Sequence, residues 1–182
     1  MQMNFRQHRI LIVAAILPAL LLLSCGEKPK PRPKKQLTTQ QVKELSEQMN
    51  VWDATRENDD IEAYISRHQY KMQQTSSGLR YELLKKGSGP PAQSGNTVLV
   101  MYKIYLLNGT ECYSSEKDGA KEVLIGKDNV ESGLHEGLQL MHAGDKMRFI
   151  LPSHLAHGLT GDKSKIPSLT PVVYEIEMLK IK

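Results

Sequence analysis

Cys25, Cys112 and five histidines (His68, His135, His142, His154 and His157) are the side chains beyond the extreme amino terminus with the chemistry of nucleophiles or metal ligands. Their spacing removes most of what they could do. The histidines form no HExxH pair or comparable ligand spacing, so they read as surface or pocket residues. Cys25 differs, because it stands directly behind Leu22-Leu23-Ser24, at the end of a run of fourteen uncharged residues from Ile10 to Leu23. Such a run falls short of the roughly 20 apolar residues of a membrane-spanning helix and suits the apolar centre of a signal peptide. A cysteine placed there resembles the cysteine of a bacterial lipobox, which would be acylated once the leader is cut. Cys112 is then left without a partner. No intramolecular disulfide or zinc knuckle is open to the chain, although an exported protein would permit a disulfide. A lone thiol of this kind reads as a small buried hydrophobe.

The chain has 182 residues, 40% hydrophobic, 24% charged and 5% aromatic, an ordinary globular composition. The only charges before the apolar run are Arg6 and Arg9, and the Leu22-Leu23-Ser24-Cys25 stretch resembles a bacterial lipobox. Cleavage after Ser24 leaves 158 residues, enough for one domain with a proper core and an appendage. Residues 26–35 read GEKPKPRPKK. Alternating prolines and cations favour an extended polyproline tether, about 3.1 Å per residue and so roughly 30 Å long. Beside an acyl group these cations either touch anionic headgroups or act as a solvated spacer. Without the leader and the basic tract, seventeen Lys and Arg face nineteen Asp and Glu. The body is slightly acidic, which argues against nucleic acid as a partner.

Those residues must be positioned by the elements that follow. Val42, Leu45, Met49 and Trp52 recur at helical spacing, and Thr38 or Thr39 suits the amino-terminal cap. Asn58-Asp59-Asp60 breaks the pattern, and Ile61, Tyr64, Ile65 and His68 share a second face, so two short amphipathic helices are expected. Trp52 reads as a packing anchor. The helices bury their stripes on the main domain, on each other or in a homodimer. From Ser77 onward the pattern alternates with period two. Strands are expected around Leu79–Leu83, over Val98–Leu107 with a hairpin turn at Asn108-Gly109, over Val123–Ile125, Lys146–Leu151 and Val172–Ile181. Val130–Gly144 suits one helix with Gly144 at its carboxyl end, and residues 152–170 form a long loop. Five or so antiparallel strands with one helix on a single face make an α+β roll.

Several strings, in this order, resemble the FK506-binding protein (FKBP) type of peptidyl-prolyl isomerase. They are Val98-Leu99-Val100-Met101-Tyr102, Asn108-Gly109-Thr110-Glu111-Cys112-Tyr113, Gly133-Leu134-His135-Glu136-Gly137-Leu138 and Met141-His142-Ala143-Gly144. Leu155-Ala156-His157-Gly158, Ile166-Pro167 and Val172–Leu179 complete the set. With Ser77-Gly78-Leu79-Arg80-Tyr81 and a lipobox ahead of them, they are similar to the Mip-like and gliding-motility-associated lipoprotein members. The resemblance implies an antiparallel sheet wrapped around one short helix over residues 75–182. A helical segment (38–74), a lipidated tether (25–37) and a signal peptide (1–24) precede it.

It further implies an X–Pro isomerase that needs no cofactor, with site residues Tyr102, Val130, Glu131, Leu134, His157, Ile166 and Tyr174. Tyr102, Val130, Ile166 and Tyr174 would wall a socket for the proline ring, and the backbone N–H of Glu131 would bind the substrate carbonyl. The same residues also satisfy the periodicity of a plain core. Leu134 stands where family members commonly carry tryptophan, His157 where a tyrosine donates, and Cys112-Tyr113 where a Phe-Asp pair is usual. A further wall phenylalanine maps near Lys121. Two functions therefore stand: an isomerase acting on proline-containing exported polypeptides, and a non-catalytic chaperone or binding module in a surface or motility assembly. In either, Cys25 would fix the protein to the cell envelope, at the outer membrane facing the periplasm.

Overall fold

The computed structural model describes residues 38–182; the signal peptide, Cys25 and the basic tether lie outside the described residues. Helix α1 spans Thr39–His68. Its first turn carries a reciprocal cap: the Thr38 hydroxyl accepts from Gln41 N–H at 3.3 Å while Gln41 Oε1 accepts from Thr38 N–H at 3.0 Å. The helix is one continuous element of 30 residues, not the two expected. Asn58, read as a breaker, instead turns its side-chain oxygen to the guanidinium of buried Arg80, which also bonds Glu62 at 3.1 Å and Gly78 O at 2.7 Å. A tertiary contact thus outweighs a modest local propensity. Val42 and Val51 are exposed, and the side chains of Leu45, Met49 and Trp52 lie outside the described parts, Trp52's packing role with them.

Seven strands follow: β1 (Gln73–Gln74), β2 (Arg80–Lys85), β3 (Thr97–Leu106), β4 (Glu111–Ser114), β5 (Lys121–Leu124), β6 (Lys146–Leu151) and β7 (Val172–Ile181). They form one antiparallel sheet in the order β1-β2-β6-β7-β3-β4, with β5 also on β3. One edge of β3 runs along β7. The other pairs first with β5 (Thr97–Val100) and then with β4 (Lys103–Tyr105). Where β3 leaves one partner for the next, the Ser115 hydroxyl fills the ladder, accepting from Tyr102 N–H at 3.0 Å and donating to Tyr102 O at 3.2 Å. Ser115 opens a single turn, α2 (Ser115–Asp118).

Alternation along the strands separates two cores. Val172, Tyr174, Ile176 and Met178 of β7, with Met147, Phe149 and Leu151 of β6, join Leu134 and Leu138 of helix α3 (Ser132–Gln139) on one face. Ile150 and Val173 point the other way and pack against Ile61 and Tyr64 of α1. The sheet is therefore covered on one face by α3, the one short helix expected, and on the other by α1, whose stripe is buried on the main domain, one of the three places left open for it. Gly133 and Gly137 allow α3 to lie close on β6: a Cβ on Gly133 would sit 2.8 Å from Leu151 Cγ, and one on Gly137 3.0 Å from Phe149 Cε1. Helix α3 is also shorter than the expected Val130–Gly144. Its would-be last turn is pulled into backbone bonds with the 90–92 segment, Ala92 N–H to Met141 O at 2.9 Å and Ala143 N–H to Pro90 O at 3.0 Å. The loop between β6 and β7 contains two single 3₁₀ turns, Ser153–Leu155 and Gly158–Thr160.

Candidate functional site

A pocket of about 290 Å³ opens where the middle of β3 crosses between β7 and α3. Its back wall is Val100, Tyr102 and Ile104, which share a face because they alternate on β3. Tyr174 stands opposite Ile104, and Ile176 opposite Tyr102, in the β3–β7 register, and both extend that wall. Val123 and Lys121 enter from β5, Tyr113 from β4, Leu134 and Glu131 from α3 and its cap, and His157 and Asp162 from the β6–β7 loop. The surface is mostly aliphatic and aromatic, and its polar groups include two adjacent pairs, Glu131 with His157 and Tyr113 with Asp162.

Five of the seven expected site residues therefore come together: Tyr102, Glu131, Leu134, His157 and Tyr174 line the pocket. Val130 and Ile166 do not. Val130 is half-buried against the core beside Glu131, and Ile166 is buried behind Asp162, whose Oδ1 accepts the Ile166 N–H at 2.8 Å. Of the five histidines, only His157 lines this pocket. His135 is structural: Nδ1 accepts from Gly126 N–H at 2.8 Å and Nε2 reaches Asp128 O at 2.9 Å, which shapes the approach to Glu131. Cys112 is buried, and burial pushes its thiol up, so it stays protonated and inert. Among the described residues no three of His, Cys, Asp and Glu gather as a metal-ligand set.

Two features of the site were not read from the sequence. Tyr113 replaces the expected carboxylate, yet its hydroxyl donates to Asp162, so an acidic group returns to the same wall from a different element. Asp162 Oδ1 also accepts from Ser164 N–H at 2.8 Å. The signal was present as an aspartate whose carboxylate can bond the N–H two residues on, the usual Asx-turn pattern. A second carboxylate, Asp118 of α2, lies 3.5 Å from the Tyr102 hydroxyl.

The electrostatics keep the three phenols of the pocket, Tyr102, Tyr113 and Tyr174, neutral. Burial, then the adjacent Glu131 carboxylate, raises Tyr174 well above its ordinary value. Burial and Asp118 raise Tyr102, and the bond to Asp162 raises Tyr113. Burial works against ionising Asp162, but hydrogen bonds from Tyr113, Ile166 and Ser164 more than offset it and hold its carboxyl below the usual range. His157 Nε2 lies 3.0 Å from Glu131 Oε1, an ion-pair distance. It is off the line of a hydrogen bond and shut away from solvent. The α3 cap at Glu131 leaves amino-terminal N–H groups without intrahelical acceptors. The result is an apolar cup edged by neutral hydroxyl donors and backbone N–H groups, with no nucleophile primed by a base.

Comparison with known proteins agrees with this geometry. The family model for the FKBP-type peptidyl-prolyl cis-trans isomerase matches residues 89–179. A protein of Aeromonas hydrophila named as the FKBP-type peptidyl-prolyl cis-trans isomerase FkpA is 33% identical over 143 residues, covering 78% of this chain and 53% of the relative. The macrophage infectivity potentiator of Trypanosoma cruzi is 34% identical over 107 residues, 58% of this chain and 54% of its own length. The chain thus spans about half the length of the curated relatives it matches. Among solved structures, a peptidyl-prolyl cis-trans isomerase of Pseudomonas syringae superposes with a TM-score of 0.62 at 26% identity, covering 71% of this chain and 93% of that one. FkpA of Escherichia coli superposes with a TM-score of 0.63 at 23% identity over 100% of this chain and 84% of that one, a likeness of fold.

Proposed function

The chain belongs to the FKBP-type peptidyl-prolyl cis-trans isomerase family, and from that premise we propose that it accelerates X–Pro isomerisation in exported polypeptides while anchored by lipid on Cys25. The observation that carries the reading is the apolar pocket in which Tyr102, Leu134 and Tyr174 converge, with neutral donors at its edge. Rotation about an X–Pro bond requires neither nucleophile nor metal. It faces a barrier of about 18–20 kcal/mol because the twisted amide loses resonance. A site lowers that barrier by holding the twisted amide better than either planar isomer. Here the apolar walls seat the proline ring and exclude water from the amide. The Tyr102 and Tyr174 hydroxyls and the Glu131 N–H are the groups positioned to meet its carbonyls. His157 lies beside Glu131, its Nε2 3.0 Å from Glu131 Oε1.

Leu134 and Cys112, standing where the family's aromatic rings are usual, support the second reading, a non-catalytic module in a surface or motility assembly. A protease-coupled assay on a proline tetrapeptide separates the two. A rate above buffer that is lost in Tyr102→Ala and Tyr174→Ala is the expected result, and a rate equal to buffer leaves the binding module. The envelope location rests on the lipobox at Cys25 and the basic tract behind it. Cys25→Ser should abolish palmitate labelling and membrane fractionation; a label that persists removes the anchor. Whether two chains pair through α1 in a homodimer is tested by sedimentation of the purified protein.

A further inference from the structure

The pocket is apolar in its walls but acidic in its polar groups. Glu131 and Asp162 line it, and Asp118 stands 3.5 Å from the hydroxyl of the lining Tyr102. Against these three carboxylates the lining holds one lysine, Lys121, which is exposed on the β5 side, and His157, whose Nε2 lies 3.0 Å from Glu131 Oε1. Lys165 lies outside the lining, its ammonium group donating to Cys112 O at 2.7 Å beside the Tyr113 ring. Three tyrosine rings, Tyr102, Tyr113 and Tyr174, stand among the carboxylates. The face of one of them already receives an ammonium group, with Lys165 Nζ 4.6 Å from the Tyr113 ring centroid. Aromatic faces and carboxylates around one apolar recess are the chemistry that holds a cationic side chain with an aliphatic stem.

We propose that this site selects X–Pro bonds whose X residue is lysine or arginine, with Asp162 and Glu131 as the specificity-determining carboxylates. The inference rests on the isomerase reading and names its substrate class. Asp162 keeps its charge at neutral pH because Tyr113 and two backbone N–H groups donate to it. A glutamate at X would meet the same carboxylates with like charge, so discrimination comes from repulsion as well as attraction. The chain's own sequence supplies a probe of this type: Lys28-Pro29, Lys30-Pro31 and Arg32-Pro33 are three successive cation–proline bonds.

The test uses the full chain purified in detergent and tetrapeptides with Lys, Leu or Glu before proline. At low ionic strength kcat/KM for Lys-Pro should exceed that for Glu-Pro by about tenfold, and the ratio should shrink as salt is added. Asp162→Asn and Glu131→Gln should each cut the Lys/Glu ratio by about threefold, and Lys121→Met should raise it. The ratio is taken within each variant, so a general loss of activity does not move it. A ratio within about twofold of unity at low salt, or one unchanged in both carboxylate variants, overturns the proposal. If no peptide is turned over, the isomerase reading fails separately and binding decides specificity. A synthetic peptide of residues 27–35 should then bind about tenfold more tightly than versions with its cations changed to glutamate or its prolines to alanine. Equal affinity for either version overturns the inference.

Discussion

Replacing Tyr113 by phenylalanine and Asp162 by asparagine, singly and together, measures how firmly the loop between β6 and β7 is clasped to β4. Asp162 takes three donors: the Tyr113 hydroxyl, Ser164 N–H at 2.8 Å and Ile166 N–H at 2.8 Å. Asparagine keeps one oxygen for the two backbone donors and replaces the oxygen that accepts from the Tyr113 hydroxyl by an NH2 group, so the cycle isolates the phenol–carboxylate bond. A hydrogen bond to an ionised group contributes about 1.5–3 kcal/mol. Both side chains are only half-buried, and solvent screening brings the expected coupling down to about 1 kcal/mol. The Asp162 carboxyl is held below its ordinary value, burial opposing and the three hydrogen bonds prevailing. Its folded pKa is therefore depressed relative to the unfolded chain. The stability it contributes is complete above the unfolded value, near about 3.9, and is lost as pH falls through the lower folded value. Guanidinium unfolding of the four proteins at neutral pH and in acid gives the coupling directly. A coupling within about 0.3 kcal/mol of zero, or one indifferent to acid, refutes the clasp.

Ile61→Ala, at a fully buried position of α1, should cost about 3 kcal/mol in chemical denaturation, since α1 completes the second core with Ile150 and Val173. A cost under about 1 kcal/mol would mean that the helix is not part of the folded unit. Gly133→Ala places a Cβ 2.8 Å from Leu151 Cγ and 2.9 Å from Leu155 O. The backbone oxygen has little freedom to retreat, so a loss of about 1–3 kcal/mol in thermal unfolding is expected. Ser115→Ala removes the hydroxyl that completes the ladder at Tyr102. Stability should drop by about 1–3 kcal/mol, and kcat/KM on a proline peptide should fall with it as Tyr102 loses its register.

Strand positions were legible because burial alternates along much of each strand, although Phe149–Leu151 and Val172–Tyr174 are buried consecutively where both faces are covered. Alternation at Lys146–Leu151 and Val172–Ile181 matches β6 and β7 residue for residue. The same alternation places Tyr102 beside Val100 and Ile104, so most of the pocket wall followed from the period of the pattern and the resemblance together. What escaped depended on contacts distant in sequence. Asn58 continues a helix because Arg80, 22 residues away, occupies its side chain. Asp162 faces Tyr113 across 49 residues, and no local pattern ties a loop aspartate to a strand tyrosine. Val130 fits the wall by analogy, but α3 begins only at Ser132 and leaves it against the core. Ile166 supports the site from behind, through its backbone bond to Asp162.

The most direct measurement is exchange NMR on a proline peptide mixed with the purified protein, which reads cis–trans interconversion without a coupling protease. Catalysis at the Tyr102–Leu134–Tyr174 pocket requires exchange that rises in proportion to the protein and returns to the uncatalysed rate, on the order of tens of seconds or slower, in a folded Tyr102→Ala/Tyr174→Ala variant. Uncatalysed exchange with the folded wild-type protein, or undiminished catalysis in that variant, contradicts it.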